Sequence, residues 1–126
     1  GSDGIIFSYG QTMVNQAFKA CKILKKENIN LKLINMPCIN NFSLNWFKKN
    51  LSKAKNIFFL EDHNVNGGIS DLIISFITNN KILNNASFTK FGPNEFPACG
   101  TPEEVLKYHK LDEKSLSLKI KKQILI

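Results

Sequence analysis

Asn56-Ile57-Phe58-Phe59-Leu60-Glu61-Asp62-His63-Asn64-Val65-Asn66-Gly67-Gly68-Ile69 is the stretch whose reading decides the fold. Ile57 to Leu60 is unbroken apolar sequence bounded by polar residues. A strand buried on both faces reads this way, so it is expected near the centre of a sheet. The loop that leaves it is the most polar segment next to any buried strand in the chain. Beyond it, Ile69, Leu72, Ile73 and Phe76 recur at helical spacing.

Working outward, the same alternation of strand and helix repeats, which is the pattern of a parallel α/β layer structure. Upstream, Ile5-Ile6-Phe7 forms a short apolar run closed by Tyr9-Gly10. Met13, Ala17, Cys21 and Leu24 then fall on one helical stripe, widened by Val14 and Phe18. Lys25-Lys26 suit the negative end of that helix, and Asn28 suits a left-handed stop. Leu31 to Ile34 reads as a second strand, and Ser43 as the N-cap of a short helix carrying Leu44, Phe47 and Leu51. Downstream, Ser87 to Phe91 alternates as a half-buried edge strand does. Thr101-Pro102-Glu103-Glu104 combines an N-cap, a proline at the first helical position and a capping-box glutamate. Leu111 and Leu116 flank Asp112 as a hydrophobic staple around the N-cap of a last helix. The expected architecture is three layers, an open, mostly parallel sheet with helices on both faces.

The 126 residues, 43% apolar and 21% charged, suit one globular domain with one core. That domain is expected to span 3–126, with Gly1-Ser2 as a cloning scar. No apolar run approaches the ~18 residues of a membrane span, and no secretory leader opens the chain. The formal net charge is +7 and all 17 basic residues are lysine. Without arginine the bidentate contacts favoured at guanine and phosphate are missing, and the lysines are scattered, so a solvated basic surface is expected and no nucleic-acid partner. Cys21, Cys38 and Cys99 share no metal-binding spacing, which points to a reducing, cytoplasmic-type compartment and no structural zinc. Cys21 is expected in the core.

The loop Glu61 to Gly68 is the place where chemistry is conceivable, because ligands of open α/β sheets meet the carboxyl ends of the strands. Its carboxylate pair and His63 suit acid–base work or a metal. The alternative is structural: Glu61 and Asp62 pin the loop, and Gly67-Gly68 let a backbone come close at a helix start. The loop is neither G-x-G-x-x-G nor a P-loop. The interface or ligand-contact candidates are Glu61, Asp62, His63, Asn64, Gly67, Gly68 and Phe96, and no catalytic, cofactor or metal residue is assigned. The phenylalanines of Phe91 to Pro97 suit an interface or the cover of a sheet edge. His109 is expected to be an exposed capping side chain. No serine sits in a G-x-S-x-G context.

Taken in order, Ile6-Phe7-Ser8-Tyr9-Gly10, Ile29 to Pro37, Leu60-Glu61-Asp62-His63 with Gly67-Gly68-Ile69, and Gly100-Thr101-Pro102-Glu103-Glu104-Val105-Leu106 with Tyr108 and Leu111-Asp112 resemble the C-terminal domain of the transketolase family over nearly the whole chain. One departure is Asn41-Phe42-Ser43, where many members carry Pro-Leu-Asp. Ser43 keeps the capping role. The resemblance implies a non-catalytic section of a thiamine-diphosphate enzyme that transfers two-carbon ketol units between sugar phosphates. It also implies that thiamine diphosphate and Mg²⁺ lie between the parent's pyrophosphate- and pyrimidine-binding domains, in a homodimer, and are not held by this chain. The family's Gly-Asp-Gly motif with its downstream Asn has no match here. Alternatives are the same domain of a deoxyxylulose-phosphate synthase or a pyruvate-dehydrogenase-type β chain, or a free-standing anion or nucleotide module using the Gly67-Gly68 helix start.

Overall fold

The computed structural model describes residues 1–126. Nine elements follow one another: β1 (Gly4–Ser8), α1 (Gln11–Lys26), β2 (Leu31–Asn35), α2 (Leu44–Leu51), β3 (Asn56–Leu60), α3 (Ile69–Asn79), β4 (Ser87–Phe91), α4 (Pro102–Tyr108) and α5 (Glu113–Ile124). The four strands lie in the order β2-β1-β3-β4 and every pairing is parallel. Ile6 stands opposite both Leu33 and Phe58, and Leu60 opposite both Ser8 and Phe91. β1 and β3 are interior, which is why both are buried along their apolar length. β4 is an edge strand and is half-buried, as its alternation predicts.

Side chains alternate across the pleat, so the two faces of each strand feed two cores. Ile6, Phe58, Leu60 and Phe91 pack with Met13, Ala17, Ala20 and Leu24 of α1, Leu106 of α4, and Leu116 and Ile120 of α5. Ile5, Phe7, Ile57 and Phe59 pack on the opposite side with Phe47 and Leu51 of α2 and Ile69, Ile73 and Ile77 of α3. The result is the expected helix–sheet–helix sandwich. Phe7 stacks on Phe59 at 5.5 Å and on Phe47 at 6.1 Å, contacts worth roughly 0.5–1.5 kcal/mol each beyond area burial.

Three helix starts are capped by the residues expected. Ser43 accepts from the Trp46 amide, Thr101 forms a reciprocal box with Glu104, and Asp112 accepts from the Ser115 amide. Hydrogen bonds from the Thr101 backbone and hydroxyl hold the Glu104 carboxyl below its ordinary pKa. At Asp112 burial raises the pKa, but the hydrogen bonds from Ser115 and from the Asp112 and Lys114 backbone together outweigh it and the net shift is downward.

Two helical stripes differ from expectation. In α3, Leu72 is 57% exposed and Phe76 half-buried, while Ser70 and Ile77 face the core. The buried face is centred on Ile69, Ile73 and Ile77, because the apolar residues of α3, which also include Leu72, Ile74 and Phe76, cover a stripe wider than the one face that packs on the sheet. In α1, Phe18 is 48% exposed, with Lys22 lying over its ring at 4.4 Å. Gln16 is buried instead, and its Oε1 accepts the Glu113 amide at 3.0 Å, tying α1 to the start of α5.

Candidate functional site

Chain order places β2 on one side of β1 and β3 on the other, so the connections diverge between β1 and β3. Their carboxyl ends, Ser8-Tyr9-Gly10 and Glu61-Asp62, border the crevice where open α/β sheets receive ligands. Ser8 ties the two strand ends together there. Its hydroxyl donates to the Leu60 carbonyl at 3.1 Å.

Glu61 organises the loop. It is 2% exposed, and its own amide donates to the Phe91 carbonyl at 2.9 Å. Its side chain turns back to the start of α3, where Oε2 accepts the Ile69 amide at 2.7 Å and Oε1 the Ser70 amide at 3.0 Å. Gly68, the N-cap of α3, has no side chain to cap with. Glu61 supplies the cap from another element, placing a full negative charge at the positive end of the helix. Gly68 is required for this arrangement: a β-carbon there would sit 2.9 Å from Glu61 Cδ and still nearer Oε2. The glycine makes room for a carboxylate of its own chain, where the sequence suggested an approaching neighbour's backbone. The same contact fills the helix start proposed for a free-standing anion module, since its two inward amides already hold an anion.

The rest of the loop is pinned by short-range bonds. The His63 Nδ1–H donates to the Asn64 carbonyl at 2.8 Å. The Asn66 amide donates to Asn64 Oδ1 at 2.9 Å. Gly67, at φ +81°, donates to Asp71 Oδ2 at 2.6 Å. Asp71 also receives Lys90 from β4 at 2.8 Å; these two bonds, Lys90 first, hold its pKa down. Val65 donates to the Pro93 carbonyl at 3.0 Å, and Gly92 packs so closely that a β-carbon would lie 2.5 Å from the His63 oxygen. The loop after β3 is thereby bolted to the loop after β4. Asp62, His63 and Asn64 are left exposed.

Asp62 and His109 line one cavity of about 250 Å³ together with Thr12 and Gly100. His109 is half-buried, contrary to the exposed capping role expected of it. Its Nε2 accepts the Ala98 amide at 3.1 Å. Phe91 is in β4 and buried, so of the two phenylalanines in that segment only Phe96, 94% exposed, projects outward. Tyr9, beside the crevice, has its pKa raised by burial and then by Glu61 and Asp62. Sequence reasoning did not find Asp71, Lys90 or the pairing of His109 with Ala98. An acid three positions after the N-cap is the usual mark of a helix start, and it signals Asp71. Nothing local signals the other two.

The donors present do not fit a Mg²⁺–diphosphate group. Such a site needs oxygen ligands that are free to converge on the ion. Both Glu61 oxygens are committed to amides, and no group of three or more His, Cys, Asp or Glu side chains is spaced to hold a metal. No helix is long and apolar enough to cross a membrane.

The family model described as transketolase, C-terminal domain, matches residues 1–116. The chain belongs to the transketolase C-terminal domain family. This transketolase C-terminal domain is 28% identical over 126 residues to a Methanocaldococcus jannaschii protein described as a transketolase C-terminal section, covering 98% of the chain and 38% of the relative. It is 26% identical over 114 residues to a 1-deoxy-D-xylulose-5-phosphate synthase of Clostridium tetani, covering 87% of the chain and 18% of that enzyme. Among solved structures, a split-gene transketolase described as an inactive β4 tetramer superposes with a TM-score of 0.83 at 20% identity, over 99% of this chain and 40% of that one. A transketolase of Pichia stipitis superposes at 0.71 with 22% identity, over 98% and 16%. The domain thus spans about two fifths of one curated relative and under a fifth of the other.

Proposed function

We propose that this transketolase C-terminal domain is a non-catalytic assembly section of a thiamine-diphosphate enzyme that transfers two-carbon ketol units between sugar phosphates. In this reading it packs against the pyrophosphate- and pyrimidine-binding domains of its parent and helps hold the parent dimer. The observation that carries the reading is the inward turn of Glu61. The one buried carboxylate of the polar loop caps α3, so the loop is a braced abutment that presents Asp62, His63 and Asn64 outward. Phe96 projects from the neighbouring loop to which it is tied. The match to a transketolase C-terminal section favours ketol transfer over the synthase reading, which the Clostridium relative keeps as the second choice.

The test is made in the assembled parent enzyme. Asp62→Ala and His63→Ala are expected to weaken dimerisation or to lower kcat less than about tenfold, through misplaced neighbouring domains. A general acid or base is worth roughly 10²–10⁴-fold. A loss above about 10²-fold with the dimer held intact at high protein concentration places these residues in the chemistry and overturns the reading.

A further inference from the structure

The segment from Asn94 to Cys99, which carries Phe96, makes one hydrogen bond to the rest of the molecule. That bond runs from the Ala98 amide to Nε2 of His109, at the end of α4. An amide N–H can only donate, so Nε2 must present a lone pair, and the ring proton resides on Nδ1. A second proton on the imidazole fills that lone pair and turns acceptor into donor. The bond cannot survive it. Just outside the segment the chain is fixed independently, by the Val65–Pro93 bond at one end and the Thr101–Glu104 box at the other. Loss of the His109 bond therefore frees the segment between two anchors without unfolding α4.

We infer that His109 is a pH-sensitive latch that holds the Phe96 loop against α4 when the imidazole is neutral and releases it when the imidazole is protonated. The latch stands on this hydrogen bond and does not rest on the function proposed above. Histidine is the side chain whose charge changes between about pH 5 and 8. The charged and titratable groups around it come from every neighbouring element. Asp62 of the loop after β3 lines one cavity with it. Glu95 of the latched segment, Lys90 of β4, Tyr108 and Lys110 beside it and Lys119 of α5 line another. Lys90 is neutralised by Asp71. The sign follows from which form the closed loop accepts. Closure binds only the neutral ring, so acid, which adds the second proton to the imidazole, opens it and base restores it.

The measurement is made on the chain itself by nitrogen-15 NMR and amide exchange. At pH 8 long-range imidazole spectra should show His109 with its proton on Nδ1. Between about pH 8 and 5 the protection factor of the Ala98 amide, corrected for intrinsic exchange, should fall about five- to tenfold, the change one hydrogen bond makes in an opening equilibrium. Amides of β1 and β3 should hold theirs. In His109→Gln, whose amide oxygen accepts without titrating, Ala98 protection should be flat with pH; in His109→Ala it should be low throughout. A proton on Nε2 at pH 8, flat Ala98 protection in the unaltered chain, or an equal fall in His109→Gln overturns the latch. None of these results depends on the assembly reading, which the kcat experiment tests separately.

Discussion

Removing the Glu61 carboxylate should destabilise the domain out of proportion to its surface area, and the structure lets the magnitude be worked. Glu61→Ala leaves the Ile69 and Ser70 amides without their acceptor, and both residues are buried. A buried donor left unpaired costs about 1–3 kcal/mol. Against this, the variant escapes the desolvation of a buried charge. The net expectation is a loss of about 2–3 kcal/mol. Gly68→Ala should lose about 1–3 kcal/mol by itself, as overpacking does, because its methyl meets the same carboxylate. The two losses must not add. Once Glu61 is alanine the methyl at 68 has space, and Gly68 already has extended backbone angles that alanine adopts freely. In the Glu61→Ala background the overpacking is gone, and Gly68→Ala should cost only the preference of an N-cap for glycine over alanine, about 0.5–1 kcal/mol, which is common to both backgrounds and cancels from the coupling. Urea midpoints of the four proteins give the coupling, expected at about 1–2.5 kcal/mol. Additivity within about 0.5 kcal/mol would show that the glycine is not there to admit the carboxylate, and the account of the loop would fail.

Three other outcomes follow from the structure. Thr101→Ala should lower stability by about 1 kcal/mol at neutral pH, read from denaturant midpoints. The part carried by Glu104 should vanish in acid: its pKa is held down in the fold, so its contribution is present above the ordinary value of 4.5 and is lost as the pH falls through the lowered one. Cys21 is half-buried with its thiol pushed up to about 11, while Cys38 and Cys99 are exposed. A disulfide reagent at pH 8 should therefore titrate two thiols quickly and the third only after unfolding. Lys110 sits at φ +55° just past α4, where a side chain is strained by about 1 kcal/mol. Lys110→Gly should thus raise stability by roughly 0.5–1 kcal/mol in thermal melts, and an unchanged melting temperature would mean that the strain is relieved elsewhere.

The alternation of strands and helices, the central place of Ile57 to Leu60 and three of the helix caps could be read from the sequence, because each depends on residues near one another in the chain. A strand that is apolar on both faces has to lie between neighbours, inside the sheet. Ser43, Thr101 and Asp112 cap amides three residues away. What tertiary structure decided are the features whose cause is distant. α1, α3 and α4 all stop in the same way: the second residue beyond each cap donates back to the carbonyl five positions earlier, as Ile29 does to Leu24, Ile82 to Ile77 and Leu111 to Leu106. The residue between takes a left-handed backbone. Asn28 advertises that stop. Lys81 and Lys110 do not, because lysine has no preference for it; they are driven there by burial of the apolar residue that follows. The orientation of α3 was likewise hidden, because its apolar stripe is wider than the face it buries. The site divides along the same line. That the loop after β3 is polar and matters was plain from Glu61 to Gly68. That Glu61 turns inward onto α3, that Gly68 exists to admit it, and that His109 holds Ala98 were set by which strand ends and helix starts the parallel sheet brings side by side.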